Sequence, residues 1–325
     1  MILLDVLILV VGFVALVKGA DWFVDGSAAL AKNFRVPGLI IGLTVVALGT
    51  SAPELAVSTT AAIQGSNEIA LSNVVGSNIF NLLCVLGFCA VIHPVPVDKI
   101  VLKRDFPISI VAAVFVLAAA VMTAIRTNGF ADIRMDADAG MISRWAGVVL
   151  FVCFIAYLVY LVQNARKYPE PEEEGENKPI WKCLLLIVIG LVLIVGGGQA
   201  VVYSAKEIAR AAGMTETLIG LTIVAVGTSL PELVTSITAA KKGETGLAVG
   251  NAIGSNIFNL MLILGLSTMI HPIVVNWASV FDLGILIAVS LITILFSISK
   301  FRITRREGII MIALYVADVV FAIVR

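Results

Sequence analysis

The chain has 325 residues, with 22 basic and 22 acidic side chains and therefore no formal net charge. Hydrophobic residues make up 60% of it and charged residues 14%, with a mean hydropathy of +1.06, whereas a soluble domain carries about a quarter charged residues. This composition excludes a water-soluble globular domain, and the balanced charge excludes nucleic acid as a partner because no basic field exists to attract it.

A helix that crosses a bilayer needs about 20 mostly apolar residues. Ten such spans are predicted, at roughly 2–20, 37–63, 68–92, 106–125, 143–163, 181–204, 215–240, 245–270, 279–299 and 307–324. The first lacks a basic leader and an A-x-A-like cleavage site, so it reads as a span rather than a removable signal. The four cysteines, Cys84, Cys89, Cys153 and Cys183, lie in apolar runs without C-x-x-C spacing and read as small buried hydrophobes.

The second span carries "ALGTSAPEL", Ala47 to Leu55. At helical spacing Ser51, Glu54 and Ser58 share one face. Pro53 offers no N–H to Gly49 and biases Ala52 away from helical geometry, which predicts a break with carbonyls freed between Ala47 and Thr50. Unwound backbone at membrane depth is tolerable only against protein or a wet cavity. The third span adds a polar stripe, Asn73, Ser77 and Asn81, spaced four apart. Ser77 and Asn81 read as ligands at the end of that stripe. Asn73 and Asn78 are equally compatible with interhelical hydrogen bonding, for which the neighbouring glycine would allow close packing. His93, in "IHP", reads as a turn residue at a helix end.

Residues 164–180 are polar and acidic, with two Pro-Glu steps, and divide the chain into 1–163 and 181–325 as a linker. Beyond it, "AVGTSLPEL" returns at Ala225 to Leu233 and "GSNIFNL", Gly76 to Leu82, recurs verbatim at Gly254 to Leu260. Residues 40–98 align with 218–276 at a constant offset of 178, identical at 32 of 59 positions. Gly12 and Gly190, and Gly19 and Gly197, keep the same offset. The second copy supplies Ser229, Glu232 and Ser236, then Asn251, Ser255 and Asn259, with Asn256 and His271 as counterparts of Asn78 and His93. Each copy holds five spans, an odd number, so the second enters the membrane upside down; inverted repeats mark transporters that bind substrate near the midplane. Of the 22 Lys and Arg residues, 16 fall after spans one, three, seven and nine or in the linker. That side is predicted to be cytoplasmic, with both termini outside.

Every candidate ligand is an oxygen, and neither motif contains His or Cys, which disfavours zinc, copper and iron. Magnesium dehydrates reluctantly, so calcium and sodium fit best.

At these residues the chain resembles the cation/calcium exchanger superfamily, specifically the prokaryotic type of sodium/calcium exchanger. The paired "GTS-x-PE" elements and their "GSNIFN" partners look like that family's alpha repeats. The resemblance implies an all-α polytopic membrane protein of ten transmembrane helices in two inverted five-helix repeats. It implies four central cation subsites, with Glu54 and Glu232 shared between calcium and sodium. The Thr50 and Thr228 carbonyls would complete the calcium subsite. The Ala47 carbonyl, Ser51 and Ser255 would join Glu54 at one sodium subsite; the Ala225 carbonyl, Ser77 and Ser229 would join Glu232 at the other. Asn81 and Asn259 would line the middle. Some relatives, including potassium-dependent ones, carry aspartate where Asn259 stands, which argues against potassium coupling here.

The expected activity is Na⁺/Ca²⁺ antiport that extrudes Ca²⁺ across the cell membrane. It needs no cofactor and no partners beyond the two ions and the bilayer, with a monomer as the functional unit. Spans one and six would slide against the other eight, with Gly196–Gly198 smoothing that interface. Calcium/proton exchange, a cation channel and an intramembrane hydrolase using Ser51 or Ser229 remain as alternatives. The hydrolase would need a base within reach of the serine.

Overall fold

No proline interrupts the chain before Pro37, and the first helix, α1 (Ile2–Phe34), runs 33 residues without a break. The computed structural model describes residues 2–65, 67–127, 134–135, 137–165, 178–213 and 225–324. Within them follow α2 (Gly38–Thr50), α3 (Ala52–Ile63), α4 (Glu68–Ile92), α5 (Val101–Thr123) and α6 (Arg144–Ala165). After the linker come α7 (Ile180–Ala211), α8 (Ala225–Gly227), α9 (Leu230–Lys241), α10 (Thr245–Ile270), α11 (Trp277–Lys300) and α12 (Arg305–Val324).

Eight of these helices are long and apolar enough to cross a membrane, and α2 with α3 makes a ninth candidate, bent by 50°. The span expected at 215–240 lies partly outside the described residues, as does most of the linker. The first and sixth spans were expected to end near residues 20 and 204, but α1 and α7 continue to Phe34 and Ala211. Hydropathy marks where apolar side chains stop, not where the backbone stops being helical. Beyond that point α1 is held by polar contacts: Lys242 Nζ lies 2.7 Å from Asp25 Oδ1 and 3.4 Å from Asp21 Oδ1.

The long helices carry an outward belt of apolar side chains, among them Val111, Val152, Leu295 and Ile309. Such a belt identifies a multi-pass membrane protein. At the centre stand α4 and α10, with 78% of the apolar window buried in each, against 33% or less in the other long helices. Cys84, Cys89 and Cys183 are buried as expected, but Cys153 is exposed on the outer face of α6. Two antiparallel ribbons not foreseen from the sequence tie loops together. Their strands are β1 (Val95–Pro96), β2 (Asp138–Ile142), β3 (Ile273–Asn276) and β4 (Arg302–Ile303), β1 pairing with β4 and β2 with β3. They are too short to leave a period-two pattern.

Glycines set the closest approaches. Helices α1 and α7 cross antiparallel through residues spaced seven apart. A Cβ on Gly12, Gly19 or Gly26 would stand 3.0, 2.8 or 2.8 Å from the carbonyl oxygens of Gly197, Gly190 and Cys183. Without a hydrophobic force between helices in lipid, such small residues let backbones pack directly. Of the Gly196–Gly198 triplet only Gly197 sits in this seam; Gly198 faces Pro231, and Gly196 meets nothing within 4 Å. A second seam joins α2 to α10, where a Cβ on Gly250 would stand 2.5 Å from Leu39 O and one on Gly254 2.8 Å from Leu43 Cα.

Gly250→Val is therefore expected to lower the melting temperature in detergent by about 5 °C or more, through overpacking. Gly196→Ala, at an open position, should leave it unchanged or slightly raised. Equal effects would show that the α2–α10 seam is not tightly packed.

Candidate functional site

The bend between α2 and α3 falls at Ser51, whose φ of −81° and ψ of 7° leave the helical region. Pro53 follows in the first turn of α3, so Glu54 stands at a helix start, where backbone N–H groups and the helix dipole favour a carboxylate. The second half repeats the arrangement: Ser229 has φ −92° and ψ 6°, Pro231 follows, and Glu232 lies in the first turn of α9. The break is narrower than expected. The Ala47 carbonyl is not freed, since it accepts from Ser51 N at 3.0 Å and from the Thr50 hydroxyl at 3.4 Å. Long helices press on both breaks, with Phe23 of α1 against Gly49 and Val202 of α7 against Gly227.

Both glutamates are fully buried, and each accepts one side-chain hydrogen bond from the opposite half. Ser229 Oγ donates to Glu54 Oε1 at 2.9 Å, and Ser51 Oγ donates to Glu232 Oε1 at 2.9 Å. Ser77 Oγ lies 3.0 Å from Ser229 Oγ, and Ser255 Oγ donates to Glu232 Oε1 at 3.5 Å. Behind each glutamate stands an asparagine. Asn73 Nδ2 donates to Ser58 Oγ and Glu54 O at 3.0 and 3.4 Å; Asn251 Nδ2 donates to Ser236 Oγ and Glu232 O at 2.9 and 3.3 Å. The hydroxyls of Thr50 and Thr228 reach across to Asn251 Oδ1 and Asn73 Oδ1 at 2.9 and 3.5 Å.

The centre is closed by four asparagines. Asn78 and Asn256 donate to each other's backbone carbonyls at 3.2 and 3.3 Å. Their side-chain oxygens accept the amides of Asn259 and Asn81 at 2.9 and 3.2 Å. Asn81 opens the π-helical turn Asn81–Val85, and Asn259 is the second residue of Phe258–Ile263; each turn widens the helix where the stripe ends. With their amide nitrogens drawn sideways, both present a bare oxygen.

Nine buried side-chain oxygens have no hydrogen-bond partner among the described residues; five are Ser or Thr hydroxyls elsewhere, and the other four belong to this site: Glu54 Oε2, Glu232 Oε2, Asn81 Oδ1 and Asn259 Oδ1. These four are all acceptors, and no ion pair reaches either glutamate within the described residues. Burying a carboxylate in an apolar interior is expensive unless opposite charge neutralises it. No cluster of three or more His, Cys, Asp or Glu occurs among the described residues, so the donor set is two carboxylates supplemented by amide, hydroxyl and carbonyl oxygens. Such a set suits a hard cation.

The predicted site residues fall into three hydrogen-bonded groups: Glu54 with Ser229, Ser77 and, through Asn73, Thr228; Glu232 with Ser51, Ser255 and, through Asn251, Thr50; and Asn81 and Asn259 with Asn256 and Asn78. Ala47 is buried beside them, and Ala225 opens α8 with its side chain outside the described part. Ser58 and Ser236 share the glutamates' helix face but bond to asparagines instead. Asn78 and Asn256, undecided from sequence, emerge as the bracket that turns Asn81 and Asn259; the verbatim "GSNIFNL" was the signal for them. His93 and His271 cap α4 and α10, ring Nδ1 3.0 Å from the carbonyls of Pro94 and Pro272, away from the network.

The sodium/calcium exchanger protein family matches residues 4–163 and 182–324. The sodium/calcium exchanger MaX1 of Methanosarcina acetivorans is 35% identical over 345 residues, covering 98% of this chain and 99% of its own. The inner membrane protein YrbG of Escherichia coli is 34% identical over 283 residues, 83% of this chain and 81% of its own. A solved structure of the sodium-calcium exchanger NCX_Mj soaked with 10 mM Na⁺ and 10 mM Sr²⁺ superposes with a TM-score of 0.81 at 34% identity, over 98% of this chain and 99% of that one.

Asn251 is fully buried with three short contacts, whereas Asn73 is half-buried with longer ones. Asn251→Ala is expected to cost about 1–3 kcal/mol by stranding buried polar groups, and Asn73→Ala less. Denaturant unfolding in detergent checks the order; the reverse order would contradict this reading of the network.

Proposed function

The chain belongs to the sodium/calcium exchanger family and is a membrane antiporter rather than an enzyme; on that premise we propose that it exchanges Na⁺ for Ca²⁺ and extrudes Ca²⁺ from the cell. The observation that carries the proposal is the set of four unpartnered oxygens, two carboxylate and two amide, buried at one place.

Calcium is coordinated by Glu54 and Glu232 together, with the Thr50 and Thr228 carbonyls completing its shell. Sodium takes the same glutamates one at a time, with Ser51, Ser255 and the Ala47 carbonyl on one side and Ser229, Ser77 and the Ala225 carbonyl on the other. Asn81 and Asn259 face the middle. The serine contacts pair the other way round from the sequence expectation: Ser51 and Ser255 bond Glu232, and Ser229 bonds Glu54 and Ser77; each serine set thus lies beside a glutamate, which supports the sharing but with the partners exchanged. Coupling follows from competition: neither ion can hold the full oxygen set while the other is bound. One Ca²⁺ neutralises the two carboxylates, whereas three Na⁺ would leave one positive charge. Exchange in that ratio moves one net charge per cycle, about 2.3 kcal/mol per 100 mV.

Ten helices in two inverted repeats, with both termini outside and the acidic linker in the cytoplasm, complete the reading. It is supported by the offset of 178, which relates the inter-half pairs Thr50–Asn251 and Thr228–Asn73, Ser51–Glu232 and Ser229–Glu54, and Asn81–Asn256 and Asn259–Asn78, and by the distribution of Lys and Arg. A single chain serves as the transport unit, and α1 with α7 slides across the rest to alternate access. The glycine seams support that motion by presenting backbone rather than interlocking side chains.

Radioactive Ca²⁺ uptake into Na⁺-loaded proteoliposomes is expected to follow the sodium gradient. Glu54→Gln and Glu232→Gln should each reduce uptake to that of protein-free liposomes, since each removes half of the neutralising charge. Uptake driven equally by a pH gradient without sodium, or surviving either substitution, would overturn the proposal.

A further inference from the structure

Between α5 and α6 lies a groove of about 610 Å³ that the ion site does not use, within the range of small-molecule sites. Because the helices run antiparallel along it, the groove has two unlike ends. At one, Val111 and Phe115 face Val149 and Cys153, so the lining is apolar. At the other, Lys103 and Arg104 stand beside Tyr157 and Tyr160. Met261 forms the floor, two residues beyond Asn259 in the same π-helical segment.

The basic end is built rather than incidental. Asp105 is fully buried and accepts Arg104 Nε at 2.7 Å, Arg104 Nη2 at 2.9 Å and the Tyr157 hydroxyl at 2.9 Å. This fixes the guanidinium, which also lies 5.7 Å from the Tyr160 ring centroid, while leaving Nη1 and one proton of Nη2 to donate elsewhere. Lys103 is exposed and makes no hydrogen bond or ion pair among the described residues. Two donors of positive charge, one held rigid and one free, suit a phosphate. The repeat does not demand them: at the offset of 178, Phe281, Asp282 and Leu283 stand where Lys103, Arg104 and Asp105 do.

We propose that this groove binds an anionic phospholipid, one acyl chain lying along Val111, Phe115 and Val149 over Met261, its headgroup phosphate held by Lys103 and Arg104. The groove opens among lipid-facing helices, so acyl chains are the solvent that fills it. A zwitterionic headgroup would bring its own ammonium against Lys103, which gives the preference for net negative charge.

The test is native mass spectrometry of the delipidated protein offered equal amounts of phosphatidylglycerol and phosphatidylcholine with identical chains. The wild type is expected to retain phosphatidylglycerol in preference. Lys103→Gln should lower that retention about fivefold. Val149→Trp, which fills the groove from a position 47% exposed, should abolish it while the elution profile and melting temperature stay unchanged. Equal retention of the two lipids by the wild type, or wild-type phosphatidylglycerol retention in either variant, overturns the proposal.

Discussion

Two carboxylates shut inside a membrane protein, without a basic residue bonded to either among the described residues, impose the constraint on which the rest of the structure depends. Burial without neutralisation would be prohibitive, and the chain supplies only partial relief. Each glutamate sits at the start of a helix begun by a proline, where the dipole helps, and each receives a serine from the opposite half. One oxygen of each stays bare, and the asparagines add two more by turning their amide nitrogens toward Asn78 and Asn256. A network that spends its donors sideways and leaves its acceptors facing inward is organised around a positive charge it does not itself contain.

The same constraint explains the packing around it. Because the bonds run between halves, Ser51 to Glu232 and Ser229 to Glu54, the two halves must approach to backbone distance. Glycines make that possible at the α2–α10 seam, where any larger residue at position 250 would meet Leu39 O. The α1–α7 seam uses glycine differently. Its contacts are spaced seven residues apart along two long, otherwise lipid-exposed helices, while Phe23 and Val202 touch the helix breaks beside the glutamates. The outer pair is thereby linked mechanically to the site.

Much of the site was legible from spacing alone. Four-residue intervals put Asn73, Ser77 and Asn81 on one stripe, the three-residue interval from Ser51 to Glu54 put both on one face, and the duplication doubled each. The role of Asn78 and Asn256 was not legible, because a side chain one position off the stripe acquires its partner only when the halves meet. Nor was the state of the Ala47 carbonyl: Pro53 removes one hydrogen bond, but Ser51 N restores another just upstream. Helix ends were misjudged for a different reason. Lys18, Asp21 and Asp25 end the apolar run of α1 without ending the helix: lysine is a good helix former, and the aspartates, weaker ones, are held by Lys242. Cys153 was read as buried because apolar surroundings in sequence mean interior in a soluble protein, whereas here they also mean lipid.

The claim that the bare oxygens of Glu54, Glu232, Asn81 and Asn259 exist to coordinate cations is tested most directly by anomalous diffraction from crystals soaked in Sr²⁺ as a calcium substitute. A peak lying between the two carboxylates, at a distance from Glu54 Oε2 and Glu232 Oε2 slightly beyond the roughly 2.3–2.6 Å of calcium–oxygen contacts, is the predicted result. Saturating Sr²⁺ with no peak between the glutamates, or with peaks only at surface acids, would contradict it.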